Sequence, residues 1–145
     1  MLLDASVYAP LILTAGSKVF TALRKHHVAI LDLTPYETCN VYWNEAVLHK
    51  HITPSDAIKA CVLAFRLSAF LKVITFRELN PQILAEESLD KRLTAYDAAY
   101  LIAAKSDGLE LATEDEKLAE AARESGVNVL NYDELTRFLG ICLKS

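Results

Sequence analysis

Residues 93–122, LTAYDAAYLIAAKSDGLELATEDEKLAEAA, constrain the fold most. In this stretch a helix, a stop, a short strand and a second helix follow one another with almost no spare chain. Thr94 to Ser106 reads as a nearly all-apolar helix stopped by Gly108. Leu109 to Thr113 reads as a strand, and Glu114 to Ser125 as a helix stopped by Gly126. The same alternation runs through the rest of the chain. Met1 to about Ser6 reads as a short buried strand. The helical region after it breaks near Ala15-Gly16-Ser17 and resumes to about His26. HVAILDL, from His27 to Leu33, is a second strand. Thr34 starts a helix to about Lys50 and Thr53 another to about Phe70. KVITF, Lys72 to Phe76, is a third strand, and Pro81 to about Arg92 a short polar helix. Val127 to Leu130 is a fifth strand, and Asp133 to Leu143 a last helix. Strands that alternate with helices predict an α/β fold of three layers, α/β/α, with a five-stranded parallel sheet covered on both faces. The pattern alone does not give the strand order.

The 145 residues fit a single domain spanning 1–145, and a hydrophobic share of 52% supplies a sizeable core. A net charge of −4 argues against holding nucleic acid by bulk charge, so any such contact must come from a local site. Cys39, Cys61 and Cys142 are far apart and form no CxxC or Cys/His pattern. They are expected to be buried, reduced thiols in a cytoplasmic protein. The opening run MLLDASVYAPLILTA lacks a basic start and carries Asp4, so no signal peptide is expected. Cys61 to Thr75 is apolar but contains Arg66 and Lys72 and is too short to span a bilayer, so no membrane association is expected.

Four acids stand out. Asp4 interrupts an apolar run, where a carboxylate is rare unless satisfied. Glu37 follows the second strand, Asp97 opens the apolar helix, and Asp115 lies just past the fourth strand. In open parallel sheets, ligands bind outside the carboxyl ends of the strands, and all four acids are placed to face that edge. A plainer reading stands beside this one. Thr34…Glu37, Thr94…Asp97 and Thr113…Glu116 each fit a helix capping box, with Pro35 at a favoured first position, and Asp4 could cap the first helix. Thr53-Pro54-Ser55-Asp56 has the same pattern with no site role for Asp56, so a cap pattern cannot nominate a site. If the four acids converge they need a cation. Two carboxylates ~4 Å apart repel by about 4 kcal/mol at an effective dielectric near 20. A whole domain is stable by only about 5–15 kcal/mol. Oxygen donors without His or Cys suit Mg²⁺ or Mn²⁺.

The segments LLDASVYAPLI, TPYETCNVYWNEA, LTAYDAAYLIAAKSDG and LELATEDEKLAEAARESGVNVL sample nearly the whole chain, and in this order they resemble a PIN-domain protein of the small VapC-like toxin type. YDAAYLIAA followed by a strand and T-x-D carries most of the resemblance. It implies a parallel sheet of order 3-2-1-4-5 and Mg²⁺- or Mn²⁺-dependent endoribonuclease activity. By that resemblance Asp4, Glu37, Asp97 and Asp115 form a catalytic, metal-binding quartet. Asp4 and Asp97 would be the main ligands, Ser6 would support the first acid, and Thr113 is the hydroxyl two before the fourth. Glu45, two turns beyond Glu37, competes with it for the second position. The resemblance also implies an RNA substrate, a homodimer and a small antitoxin as partner.

Lys91, Arg92, Lys105 and Lys117 are scattered candidates for phosphate contact, though each reads first as an ordinary solvated residue. His49 and His51 flank a turn and are not expected to form a metal-like pair. Tyr36, Tyr42, Trp43, Tyr96 and Tyr100 read as core or dimer contacts. Three other readings stay open: a stand-alone PIN nuclease in RNA processing, a non-catalytic PIN-like module that binds RNA or a partner, and a haloacid-dehalogenase-like phosphatase. The last wants a second acid where this chain has Ser6.

Overall fold

The computed structural model describes residues 1–141. Five short strands, β1 (Leu2–Leu3), β2 (Ala29–Leu31), β3 (Lys72–Ile74), β4 (Leu111–Ala112) and β5 (Val129–Leu130), form one sheet of order β3-β2-β1-β4-β5. Every pairing is parallel, with Leu2 opposite Ala29 on one side and Leu111 on the other. This is the architecture and order expected from the alternation and the resemblance.

Apart from Lys72 on the edge strand β3, the strands are apolar on both faces, as a doubly covered sheet requires. Leu3, Ile30 and Ala112 join one core with Val7 and Tyr8 of α1 (Ala5–Ala15), Leu23 of α2 (Lys18–Lys25), Tyr42 of α3 (Thr34–Trp43), Ala64 of α4 (Pro54–Ser68) and Leu135 of α8 (Tyr132–Leu139). Leu2, Leu31 and Leu111 point the other way. They meet α6 (Ala95–Asp107) and α7 (Glu116–Glu124), with Leu84 of α5 (Pro81–Lys91) at the margin. Ala98, Ala99, Ala103 and Ala104 are small enough for α6 to be buried almost all round.

Two elements depart from expectation. The helix from Thr34 ends as an α-helix at Trp43 and continues as a π turn over Asn44–Leu48. The last helix begins at Tyr132 and stops at Gly140, whose φ of 67° is a left-handed conformation that glycine adopts without a side-chain clash. Residues 142–145 lie outside the described residues, and the expectations for Cys142 and for the helix end at Leu143 fall there.

The expectation of reduced thiols is overturned for the other two cysteines. Cys39 on α3 and Cys61 on α4 form a disulfide, with Cα atoms 5.0 Å apart. The two helices pack against each other and present the thiols at facing positions, a tertiary juxtaposition that a search for local cysteine motifs does not see. The bond closes a separation of 22 residues. Chain-entropy arguments give such a cross-link about 3 kcal/mol. Cys61→Ala, or dithiothreitol added to oxidised protein, should lower the urea midpoint accordingly. Identical midpoints with and without reductant would refute this. Among the described residues no helix is long and apolar enough to cross a membrane.

Candidate functional site

The register of the two central strands builds one half of the site. Leu3 pairs with Ala112, so the next residues, Asp4 and Thr113, leave the sheet side by side. The Asp4 amide still donates to the Ala112 carbonyl at 3.1 Å. Asp4 is only 7% exposed, and its carboxylate is satisfied locally. The Ser6 amide donates to Oδ1 at 2.7 Å, while the Ser6 and Thr113 hydroxyls both donate to Oδ2. Asp4 thereby also caps α1. The Thr113 hydroxyl accepts in turn from the Asp115 amide at 3.0 Å, and Ser6 Oγ accepts from the Glu114 amide at 2.9 Å. The capping box expected at Thr113…Glu116 does not form. Asp115 is itself the N-cap of α7, accepting from the Leu118 amide at 2.8 Å, because Thr113 is engaged with Asp4 instead.

The other half rests on a hydrogen-bond chain from β2 to Glu37. The Leu31 amide donates to Thr34 Oγ1 at 3.0 Å, Thr34 Oγ1 lies 2.7 Å from the Tyr100 hydroxyl, and Tyr100 donates to Glu37 Oε1 at 2.8 Å. Thr34 therefore does not cap α3. The residue before that helix is Leu33, which makes no side-chain cap bond. Thr94 does cap α6 as read, accepting from the Asp97 amide at 3.1 Å. The Asp97 carboxylate faces the Thr94 hydroxyl, which helps to hold its charge. The comparison cap at Thr53 also forms, with the Asp56 amide donating at 3.1 Å.

Asp4, Glu37, Asp97 and Asp115 all line one cavity of about 570 Å³ outside the carboxyl ends of the strands, with Ser6, Tyr36, Asn40 and Tyr96 around them. Thr113 sits just beneath, fully buried. Electrostatics record the convergence. Burial pushes the Asp4 carboxyl above its ordinary pKa, against the Thr113 and Ser6 hydrogen bonds, and the charge of Asp115 adds to the push. Glu37 is raised by burial and by Asp4 and Asp97, with the Tyr100 bond opposing. Asp97 is raised by burial, then by Asp115 and Asp4, while Thr94 and Lys117 pull it down. The acids ring the cleft rather than meet at a point. Among the described residues no three of them bring one oxygen each within 4.8 Å of one another. An oxygen-only ring of that width suits a hard cation that keeps part of its water shell, as Mg²⁺ does.

Reading the sequence missed Tyr100. It is 1% exposed and is a core residue as expected, yet its hydroxyl positions Glu37. One signal was available: it stands one turn after Asp97 on an otherwise aliphatic helix, and a buried phenol needs a partner. Tyr100→Phe removes the donor to Glu37 and the partner of Thr34. It should cost about 1–3 kcal/mol of stability. It should also raise the Glu37 pKa further, since the lost bond held it down, and so move the acid limb of any pH–rate profile to higher pH. An unmoved limb would separate Tyr100 from the site. Tyr36, Asn40 and Tyr96 are exposed lining residues. Of the basic candidates, Lys91 and Lys105 pair with Glu87, at 2.9 and 3.7 Å, while Lys117 acts on Asp97. Glu45 does not line the cavity. Contrary to expectation, it gathers His49 and His51 into one cluster.

No protein-family model matches the chain. A curated relative, Exonuclease VapC9 of Pyrobaculum aerophilum, is 36% identical over 94 residues, which cover 65% of this chain. The chain spans 66% of that relative, just under two thirds of its length. The crystal structure of PAE2754 from Pyrobaculum aerophilum matches with a TM-score of 0.73 and 26% identity, over 97% of this chain and 89% of that one.

Proposed function

The chain belongs with the VapC-like PIN-domain proteins, and from that premise we propose that residues 1–145 form a single nuclease domain that hydrolyses RNA phosphodiester bonds with Mg²⁺ or Mn²⁺. The carrying observation is the cavity lined by Asp4, Glu37, Asp97 and Asp115, whose mutual repulsion a divalent ion would relieve. When bound, the ion supplies charge neutralisation at the phosphate and activates water.

The side chains divide the remaining work. Asp4, clamped by Ser6 and Thr113, is a ligand fixed in one orientation. Asp97 turns its carboxylate into the cleft, with the Thr94 hydroxyl beside it. Asp115 spends Oδ1 on its cap and keeps Oδ2. Glu37 gives Oε1 to Tyr100 and keeps Oε2, the atom available to take a proton from water attacking in line. Tyr36 and Tyr96, exposed at the rim, offer flat faces to unpaired bases.

The test is cleavage of single-stranded RNA in Mn²⁺, with linear and circular substrates side by side. Endonucleolytic action, the reading favoured here, cuts both. The relative's name points to a second reading, attack from an end, in which the circle survives. Survival of both RNAs at every Mn²⁺ concentration would favour a non-catalytic binding module. An antitoxin partner and a homodimer complete the proposal. Trp43, Val47, Ile58 and Val62, all exposed around an apolar groove between α3 and α4, supply a face for a protein to cover. Co-purification and light scattering test both.

A further inference from the structure

The π turn at the end of α3 builds a second cluster of ligand-type side chains. The His49 amide reaches back to the Asn44 carbonyl at 3.0 Å. Lys50 then takes a left-handed conformation with φ 55° and turns the chain. The His51 amide closes onto the Glu45 carbonyl at 2.8 Å. Both imidazoles thereby face one carboxylate. His49 Nδ1 lies 2.9 Å from Glu45 Oε1, and His51 Nδ1 lies 2.7 Å from Oε2. The ring centroids are 5.4 Å apart. One donor atom from each of the three residues falls within 4.8 Å of the others, the one His/Cys/Asp/Glu group among the described residues that does so.

We propose that Glu45, His49 and His51 form a separate site for one transition-metal ion of the Zn²⁺ class. Two imidazoles and a carboxylate are a donor set suited to Zn²⁺, Co²⁺ or Ni²⁺ rather than to Mg²⁺. Ligand atoms around tetrahedral zinc sit about 3.3 Å apart, given bonds near 2.0–2.1 Å. The two Nδ1–Oε distances, 2.9 and 2.7 Å, need to open by about half an ångström, and the donor atoms, all within 4.8 Å of one another, to close around the ion that replaces the two shared protons. The fourth position is left to water. The ligands bracket the turn between α3 and α4, so the ion fastens the end of the helix that carries Glu37 to the segment that enters α4. The protein then sorts cations by chemistry, with hard ions in the acid-lined cleft and borderline ions at the turn.

The experiment uses untagged protein stripped with EDTA and titrated with Zn²⁺ and Co²⁺ in excess Mg²⁺. Wild-type and Asp97→Asn proteins should each take up one equivalent, show the visible Co²⁺ band of a nitrogen-ligated site and gain Tm. His49→Ala/His51→Ala should lose all three while still cleaving RNA in Mg²⁺ if the acid-lined cleft is the nuclease site. Should that double variant fail to fold, His51→Asn serves in its place and should lose the band. An undiminished equivalent in the histidine variants, its loss in Asp97→Asn, or no uptake by wild type would each overturn the proposal. The Zn²⁺ and RNA readouts fail independently of each other.

Discussion

Asp97→Asn should reduce metal-dependent RNA cleavage by about 10²–10³-fold while leaving the fold intact. The size follows from what the substitution removes. An oxygen ligand becomes neutral in a cleft whose catalytic power, on this reading, is electrostatic, and single groups of that kind are worth about 10²–10³ in rate. The intact fold follows from position. Thr94 caps α6 through the Asp97 backbone amide, which the variant keeps, and the side chain is half-buried at the cavity rather than in either core. Asp4→Asn should be as inactive. It differs in that its side chain also receives three hydrogen bonds, so the two hydroxyls there must reorient around the new amide. Wild-type rates in either variant, assayed on the same RNA with circular dichroism to verify folding, would remove the acid from the catalytic set.

In the metal-free protein the cleft acids should subtract stability as pH rises from about 4 toward neutrality, and divalent ion should restore it. Burial raises the pKa of Asp4, Glu37 and Asp97 above the ordinary carboxylate range, and neighbouring acids of the cleft add to it: Asp115 on Asp4, Asp4 and Asp97 on Glu37, Asp115 and Asp4 on Asp97. Below that range both folded and unfolded chains are protonated, and the groups do not affect the balance. As pH climbs through it, the unfolded chain ionises first while the folded chain still holds its protons. Unfolding is therefore favoured progressively until the folded groups have ionised too, at their raised values. Comparison with Asp97→Asn isolates the effect. The two proteins should have nearly equal Tm at pH 4, and the variant should be the more stable at pH 7. Mn²⁺ at a hundred times its Kd should then stabilise the wild type by about 2.7 kcal/mol and the variant by much less. A wild-type Tm indifferent to Mn²⁺ would argue against ion binding in the cleft.

Much of the fold was legible because the signals were local. The apolar runs around Leu2, Ile30, Val73, Leu111 and Val129 each became a strand, and the helices expected to stop at Gly108 and Gly126 stop there, whereas Gly140 cuts the last helix short of the expected end. The strand order came from resemblance and was realised. What stayed hidden depended on distant partners. Thr34 and Thr113 carry the same local pattern as Thr53, yet only Thr53 caps a helix. The other two hydroxyls are drawn to Tyr100 and Asp4, 66 and 109 residues away. Cys39 and Cys61 meet only because α3 and α4 pack face to face. His49 and His51 look separated by a turn, and it is the left-handed Lys50 that folds them onto Glu45. In each case the side chain was visible in the sequence and its partner was set by tertiary structure.

The order of the strands also has a bearing on synthesis. β1 is made first and lies at the centre of the sheet, but its neighbour β4 and the Thr113 that clamps Asp4 emerge from the ribosome more than a hundred residues later. Until then Asp4 lacks its Thr113 clamp and Asp115 does not yet exist. A growing chain cannot assemble the acid-lined cleft until Asp115 has been translated. If the cleft cuts RNA, a ribosome making this protein is shielded from its own product until the segment from Leu111 to Asp115 has emerged.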